Sequence, residues 1–314
     1  MADNTTLSDM IVPEVYYPYV IQETINSNAF INSGIAAADG LTIPSGGKTI
    51  NLPFFERIEN GVEVLQDSEA MTVHKVTTAK DVAVIHARGV TYGASDLARA
   101  FSGADAMGAI GSMLADVWAE EFTNVIKYSL DGIFGLDDLA DSLNDQSANT
   151  LTAEIMVKSM YMLGDKYSKI TGIACHSAVL AKLKQLDLID TIPPSELAAE
   201  GYSTYMQKRI IVDDLLEADS TSGAYPVYFF GAGAFSYNES PALFNLEFDR
   251  DKLKGIDYII SRRFFTMHPR GVKWLGGTVA GETPSNDELA TSSNWELVEN
   301  RKNVKISKLL VLVD

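Results

Sequence analysis

The chain contains a single cysteine in 314 residues, Cys175. That excludes an internal disulfide, fits a reducing compartment, and leaves no Cys and His set at the spacing of a tetrahedral zinc site. Basic residues are scarce as well: 25 Lys and Arg stand against 42 Asp and Glu, a formal net charge of −17. Gripping a nucleic-acid backbone takes clustered cations that displace counterions, so any neighbouring DNA is expected to be held weakly. The start MADNTTLSDM carries Asp3 and Asp9 where a secretion signal would be basic, and no apolar run approaches the ~18 residues of a membrane span. The expectation is a soluble protein made in the cytosol, with no membrane partner. What the chain does have is 46% hydrophobic residues, enough to core one large or two modest domains.

One stretch mimics a phosphate loop. In IPSGGKTINLPFF, residues 43–55, Gly47, Lys48 and Thr49 match the end of G-x-x-x-x-G-K-[ST], but the opening glycine of that motif falls on Thr42. Pro44 offers no N–H to a phosphate, and a helix should follow. Instead Ile50, Leu52 and Phe54 alternate with polar or bend-forming residues, and Pro53 forbids a helix. SGG therefore reads as a turn that launches a strand.

The first 40 residues read as an extended arm: VPEVYYPYVIQETINSNAFINSGIAA mixes prolines, tyrosines and too short an apolar pattern to close a core. From Lys48 to about Tyr92 strand signals take over, with a turn at Asn60-Gly61 and a run in which Val82, Val84, His86, Arg88 and Val90 share one face. This is a long hairpin excursion, marginal alone in water and in need of a partner surface. Ala104 to Phe134 is the clearest helix, with Ile110, Leu114, Val117, Trp118, Phe122, Val125 and Ile126 at spacings of three and four. An acidic linker, 135–150, leads to an α+β unit. That unit holds a helix from Thr152, a strand into a helix at about Ser177, and strands at 208–212 and 226–230. Asp257 to Gly276 alternates as a long strand pair; a capped turn at Pro284 to Leu289 and a final strand close the chain.

Candidate chemistry fails on inspection. Cys175 and His176 are neighbours at a strand end, so their side chains point apart and cannot form a nucleophile and its base. His74, His86 and His268 are isolated in the sequence, which argues against a metal. Asp137, Asp138, Asp141 and Asp145 suggest calcium, but the sixth and twelfth loop positions hold Ser142 and Ala148 instead of Gly and Glu. Gly231-Ala232-Gly233 lacks the third glycine of a dinucleotide loop, because Ser236 stands there, and reads as a turn between strands. No catalytic residue, cofactor site or metal site is expected. An arm and a long hairpin that the chain cannot bury alone suit a self-assembling subunit.

The order of these parts resembles the major capsid protein of tailed bacteriophages, the HK97-like coat fold. The likeness is carried by VPEVYYPYVIQET in the arm, by GGKTINLPFF and DVAVIHARGVTYGASDLA in the loop, by HSAVLAKLKQLDLID and FFGAGAF in the insertion, and by the tail NDELATSSNWELVENRKNVKI. It implies an α+β, HK97-like fold: an N-terminal arm at 1–40, an extended loop (E-loop) at 41–95, a peripheral domain at 96–149 and 256–314 with a long spine helix and the terminal strand, and an axial domain at 150–255. It also implies a virion subunit, made in the host bacterial cytoplasm, that self-assembles into hexamers and pentamers of an icosahedral shell around double-stranded DNA. A separate scaffolding protein and a portal are the further partners implied, and the DNA is contacted weakly. The expected subunit-interface residues are Val15, Tyr16, Tyr17, Tyr19, Phe54 and Phe55. The lysine, asparagine and glutamate that some members join covalently find no match here. Two rival readings remain at this point: an encapsulin-type shell enclosing protein, and an enzyme whose site is assembled from distant residues.

Overall fold

The computed structural model describes residues 24, 28–38, 43, 47–55, 62–64, 71, 78–102, 106–192, 202–240 and 246–313. Two sheets and one long helix organise it. The helix α3 (Ala106–Ile133) has 28 residues, about 42 Å at ~1.5 Å per residue. Leu114, Trp118, Phe122, Val125, Ile126, Leu130 and Ile133 are buried along one stripe, the pattern expected of a helix with one face on a core.

The first sheet is built around β13 (Ile256–Pro269). Strand β4 (His86–Ser95) pairs with it antiparallel along one edge, from Ile256 opposite Ser95 to Phe265 opposite His86. Strands β11 (Phe235–Ser240) and β12 (Leu246–Asp251) follow each other along the other edge. The expected strand pair at 257–276 is thus one strand, which turns at Gly271 (φ 87) into β14 (Val272–Trp274); β14 pairs with β15 (Trp295–Leu297) instead of folding back.

The second sheet has seven strands. In spatial order they are β5 (Leu143–Thr150), β16 (Ile306–Leu312), β10 (Tyr225–Gly231), β6 (Ile170–Cys175), β9 (Lys208–Val212), β8 (Tyr202–Tyr205) and β7 (Asp190–Ile192). Both faces are apolar because strand side chains alternate. On β10, Tyr228 and Phe230 join the core shared with α3 and the β13 sheet, while Val227 and Phe229 face α4 (Ala153–Met160) and α5 (Ser177–Gln185). The sheet is therefore the shared wall of two cores. Two expectations change here. The 135–150 linker is a 3-10 turn followed by β5, held parallel to β16. The terminal strand, expected in the peripheral part, belongs to the sheet of the inserted unit. A strand pairing across some 160 residues leaves no local trace in sequence.

The expected arm also changes at its C-terminal end. Residues 28–38 fold back on the chain's own body: α1 (Ala29–Asn32) buries Phe30 edge-on to Phe230, with ring centroids 5.9 Å apart, and β1 (Ala36–Ala38) pairs parallel with β11. Asn28 explains the attachment. Its side-chain oxygen accepts from Phe30 and Ile31 amides, and its amide donates to Ala119 O at 2.9 Å and Thr123 Oγ1 at 3.2 Å on α3. One buried side chain both caps a short helix and bolts it to the long one.

Candidate functional site: the subunit-contact surfaces

The element whose strands pair with no other strand of the described residues is the hairpin. Strands β2 (Thr49–Phe55) and β3 (Thr78–Val84) pair antiparallel from Thr49 opposite Val84 to Phe55 opposite Thr78, and form a sheet of two strands alone. A two-stranded sheet is marginal on its own in water. Beyond it Val62, Val64 and Met71 are exposed, Val62 at 98%. The single face expected from Val82 to Val90 is broken: Ile85 separates β3 from β4, and the chain passes there from the hairpin into the β13 sheet.

A buried carboxylate pins the base of the hairpin. Asp81 on β3 accepts from His268 Nε2 at 2.8 Å and from the Gly271 amide at 3.0 Å. His268 is near His86, contrary to the isolation suggested by their sequence separation, and lowers the tendency of His86 to charge. His86 is fully buried; burial first, then Arg88 and His268, push its pKa from 6.5 down to about 3. It is a neutral packing residue, tilted against Phe265 with centroids 5.3 Å apart. Arg88 ties β4 to two other elements, donating to Asn286 at 2.8 Å and lying 3.3 Å from Glu121 of α3. Burial raises the Glu121 pKa, and Arg88 opposes the rise.

Of the expected interface residues, Phe54 sits half-buried on β2 and lines a cleft of ≈ 530 Å³ together with Leu52 and Pro53. Phe55 ends β2, with its side chain outside the described residues, and Val15, Tyr16, Tyr17 and Tyr19 lie outside them altogether. The turn at Asn60-Gly61 and His74 lie outside as well. Cys175 is buried at the end of β6, where desolvation lifts its pKa to about 12, and His176 caps α5 by accepting from the Ala178 amide. A thiol in that state is no nucleophile. Gly231 and Gly233 form the turn from β10 to β11, as expected, with Gly233 at φ 62. Asp137, Asp138 and Asp141 belong to the 3-10 turn, and among the described residues no group of three or more His, Cys, Asp or Glu is arranged to hold a metal.

Sequence reading missed the cations around the Phe54 cleft. Lys166, Lys169, Arg270, Lys302 and Lys305 border it. The signal was there as K-x-x-K at 166–169 and R-K-x-x-K at 301–305, but the two runs lie far apart in a chain of strong negative net charge.

Among the described residues, two cores, a 28-residue helix and a hairpin that forms a sheet of its own match the HK97-like coat fold. Solved structures share it: the capsid of a native GTA particle has a TM-score of 0.56 at 11% identity, covering 91% of this chain and 90% of the other. The cyanophage Pam1 capsid has a TM-score of 0.55 at 12% identity over 85% of each. The chain belongs to the Gp13-like family of major capsid proteins, whose model, described as major capsid protein 13-like, matches residues 43–305. It is 38% identical over 313 residues to the major capsid protein of Bacillus phage SPP1, covering 96% of both chains. It is a structural shell subunit and virion component, not an enzyme; membership of this family decides against the encapsulin reading.

Proposed function

We propose that this chain forms the hexamers and pentamers of an icosahedral shell around phage double-stranded DNA, assembling in the host bacterial cytoplasm. In this reading the peripheral part is α3 with the β13 sheet, the axial part is the seven-stranded sheet with α4 and α5, and the β2–β3 hairpin lies over a second copy. The arm is the sequence before Asn28. Val15, Tyr16, Tyr17, Tyr19, Phe54 and Phe55 contribute apolar contact area at ~25 cal/mol per Å² buried, weak at each copy and summed over a shell. A scaffolding protein and a portal are the further partners, and the acidic surface keeps the genome loosely held.

The observation that carries the reading is the two-stranded hairpin with exposed Val62, Val64 and Met71. Apolar side chains left exposed in this way are available for contact with another copy. Negative-stain microscopy of the expressed protein, alone and with a scaffolding partner, tests it. Closed shells or capsomer rings are expected; a monodisperse monomer at high concentration in both preparations overturns it.

A further inference from the structure

Five cations gather at one end of a strand and four acids at the other. Lys169 stands directly before β6 and borders the Phe54 cleft with Lys166, Arg270, Lys302 and Lys305. Lys302 pairs with Asp165 at 2.7 Å and Lys166 donates to Asn303, while Lys169 and Lys305 have no ion-pair partner among the described residues. Two acids also border the cleft, Glu299 and Asp81, and Asp81 is already engaged by His268 and Gly271. Phe54 and Leu52 give this cleft an apolar wall.

At the other end of β6 the Asp213 amide donates to Cys175 O at 3.1 Å. There Asp116, Glu120, Asp213 and Asp214 border a second cavity of ≈ 600 Å³ whose lining contains no Lys or Arg. Asp116 and Glu120 are exposed and one turn apart on α3. Six residues of strand, at ~3.3 Å each, separate the two ends by about 20 Å.

We propose that the basic cleft of one copy receives the acidic end of the next, a head-to-tail contact between two different patches of the same chain. The proposal rests on the shell reading above and names the surfaces through which neighbouring copies meet. Copies carrying −17 each repel, so contact uses the few places where positive charge gathers. A contact between unlike patches propagates and, when its rotation closes, makes a ring. A contact between like patches would set cleft against cleft, cation against cation.

Charge reversal tests it in the full chain. Lys169→Glu with Lys305→Glu, and separately Asp116→Lys with Glu120→Lys, are each expected to lower the assembled fraction about tenfold at fixed protein concentration. Combining all four changes restores assembly, because the charges are swapped and not lost. An equimolar mixture of the two double variants restores even-membered rings only, since unlike copies must alternate. Thermal unfolding of the unassembled subunit separates misfolding from lost contact, and Lys169→Gln with Lys305→Gln gives a milder version of the same loss. Parental assembly by both reversed variants overturns the proposal and leaves the shell reading intact. Normal assembly with lost retention on duplex DNA overturns it in favour of a nucleic-acid contact. Failure of the parent chain to form any particle overturns both.

Discussion

Replacing Asp81 removes the acceptor that two buried donors share at the foot of the hairpin. Asp81 is 6% exposed, and its oxygens take His268 Nε2 at 2.8 Å and the Gly271 amide at 3.0 Å. An orphaned buried donor costs about 1–3 kcal/mol, and breaking a buried pair by deleting one partner about 3–5 kcal/mol. Asp81→Ala is therefore expected to destabilise the unassembled subunit by about 3–5 kcal/mol. Asp81→Asn keeps one carbonyl acceptor and is expected to cost about 1–2 kcal/mol. Denaturant unfolding gives the totals, and hydrogen exchange gives their location. Protection should fall first in 49–55 and 78–84, the two paired strands, and stay unchanged in β6 and β10. If Asp81→Ala lies within about 0.5 kcal/mol of the parent, the size of an ordinary surface substitution, the carboxylate does not hold the hairpin base and the reasoning fails.

Acid should act through His86. Its folded pKa of about 3 lies below the free value of 6.5, so the unfolded chain takes up a proton first and stability falls as pH drops from 6.5 toward 3. At ~1.4 kcal/mol per pH unit the loss reaches about 5 kcal/mol at most, and His86→Phe should flatten that part of a pH-dependent unfolding series. The Cys175 thiol, with a pKa lifted to about 12, should resist a maleimide at pH 8 in the folded subunit and react fully in denaturant. Gly132→Ala reverses the usual helix rule. A Cβ there would meet Leu289 O at 2.1 Å and Trp295 Nε1 at 2.5 Å, so the change should destabilise by over ~2 kcal/mol in calorimetry, where an open helix site gains about 1 kcal/mol.

Much of this was legible because it is local. The three-and-four spacing from Ile110 to Ile126 gives the helix, Ser285 and Glu288 give the capping box that starts α6 (Asn286–Leu289), and the alternation of Ile50, Leu52 and Phe54 gives β2. What was not legible depends on distant partners. LNDQSANT, 143–150, is polar and reads as linker, yet it forms a strand because β16 offers it a parallel ladder and Asn144 finds Ser159 at 2.8 Å. Asn28 looks like any polar residue of an arm until Ala119 and Thr123 stand beside it. The basic cleft escaped for the same reason: lysines some 135 residues apart meet only where β6 begins beside α7 (Arg301–Val304). Charge totals describe a chain, and a contact surface depends on where those charges fall.

Trimming the hairpin tests the central claim most directly. Replacing residues 56–77 with a two-residue Asn-Gly turn, which joins antiparallel strands without strain, leaves the pairing of β2 with β3 and removes the segment that connects them. Electron microscopy and calorimetry of that variant should show a subunit that unfolds at the parental temperature and builds no shells. Shells as numerous as the parent's would contradict the account, because the segment between β2 and β3 would then be dispensable for assembly.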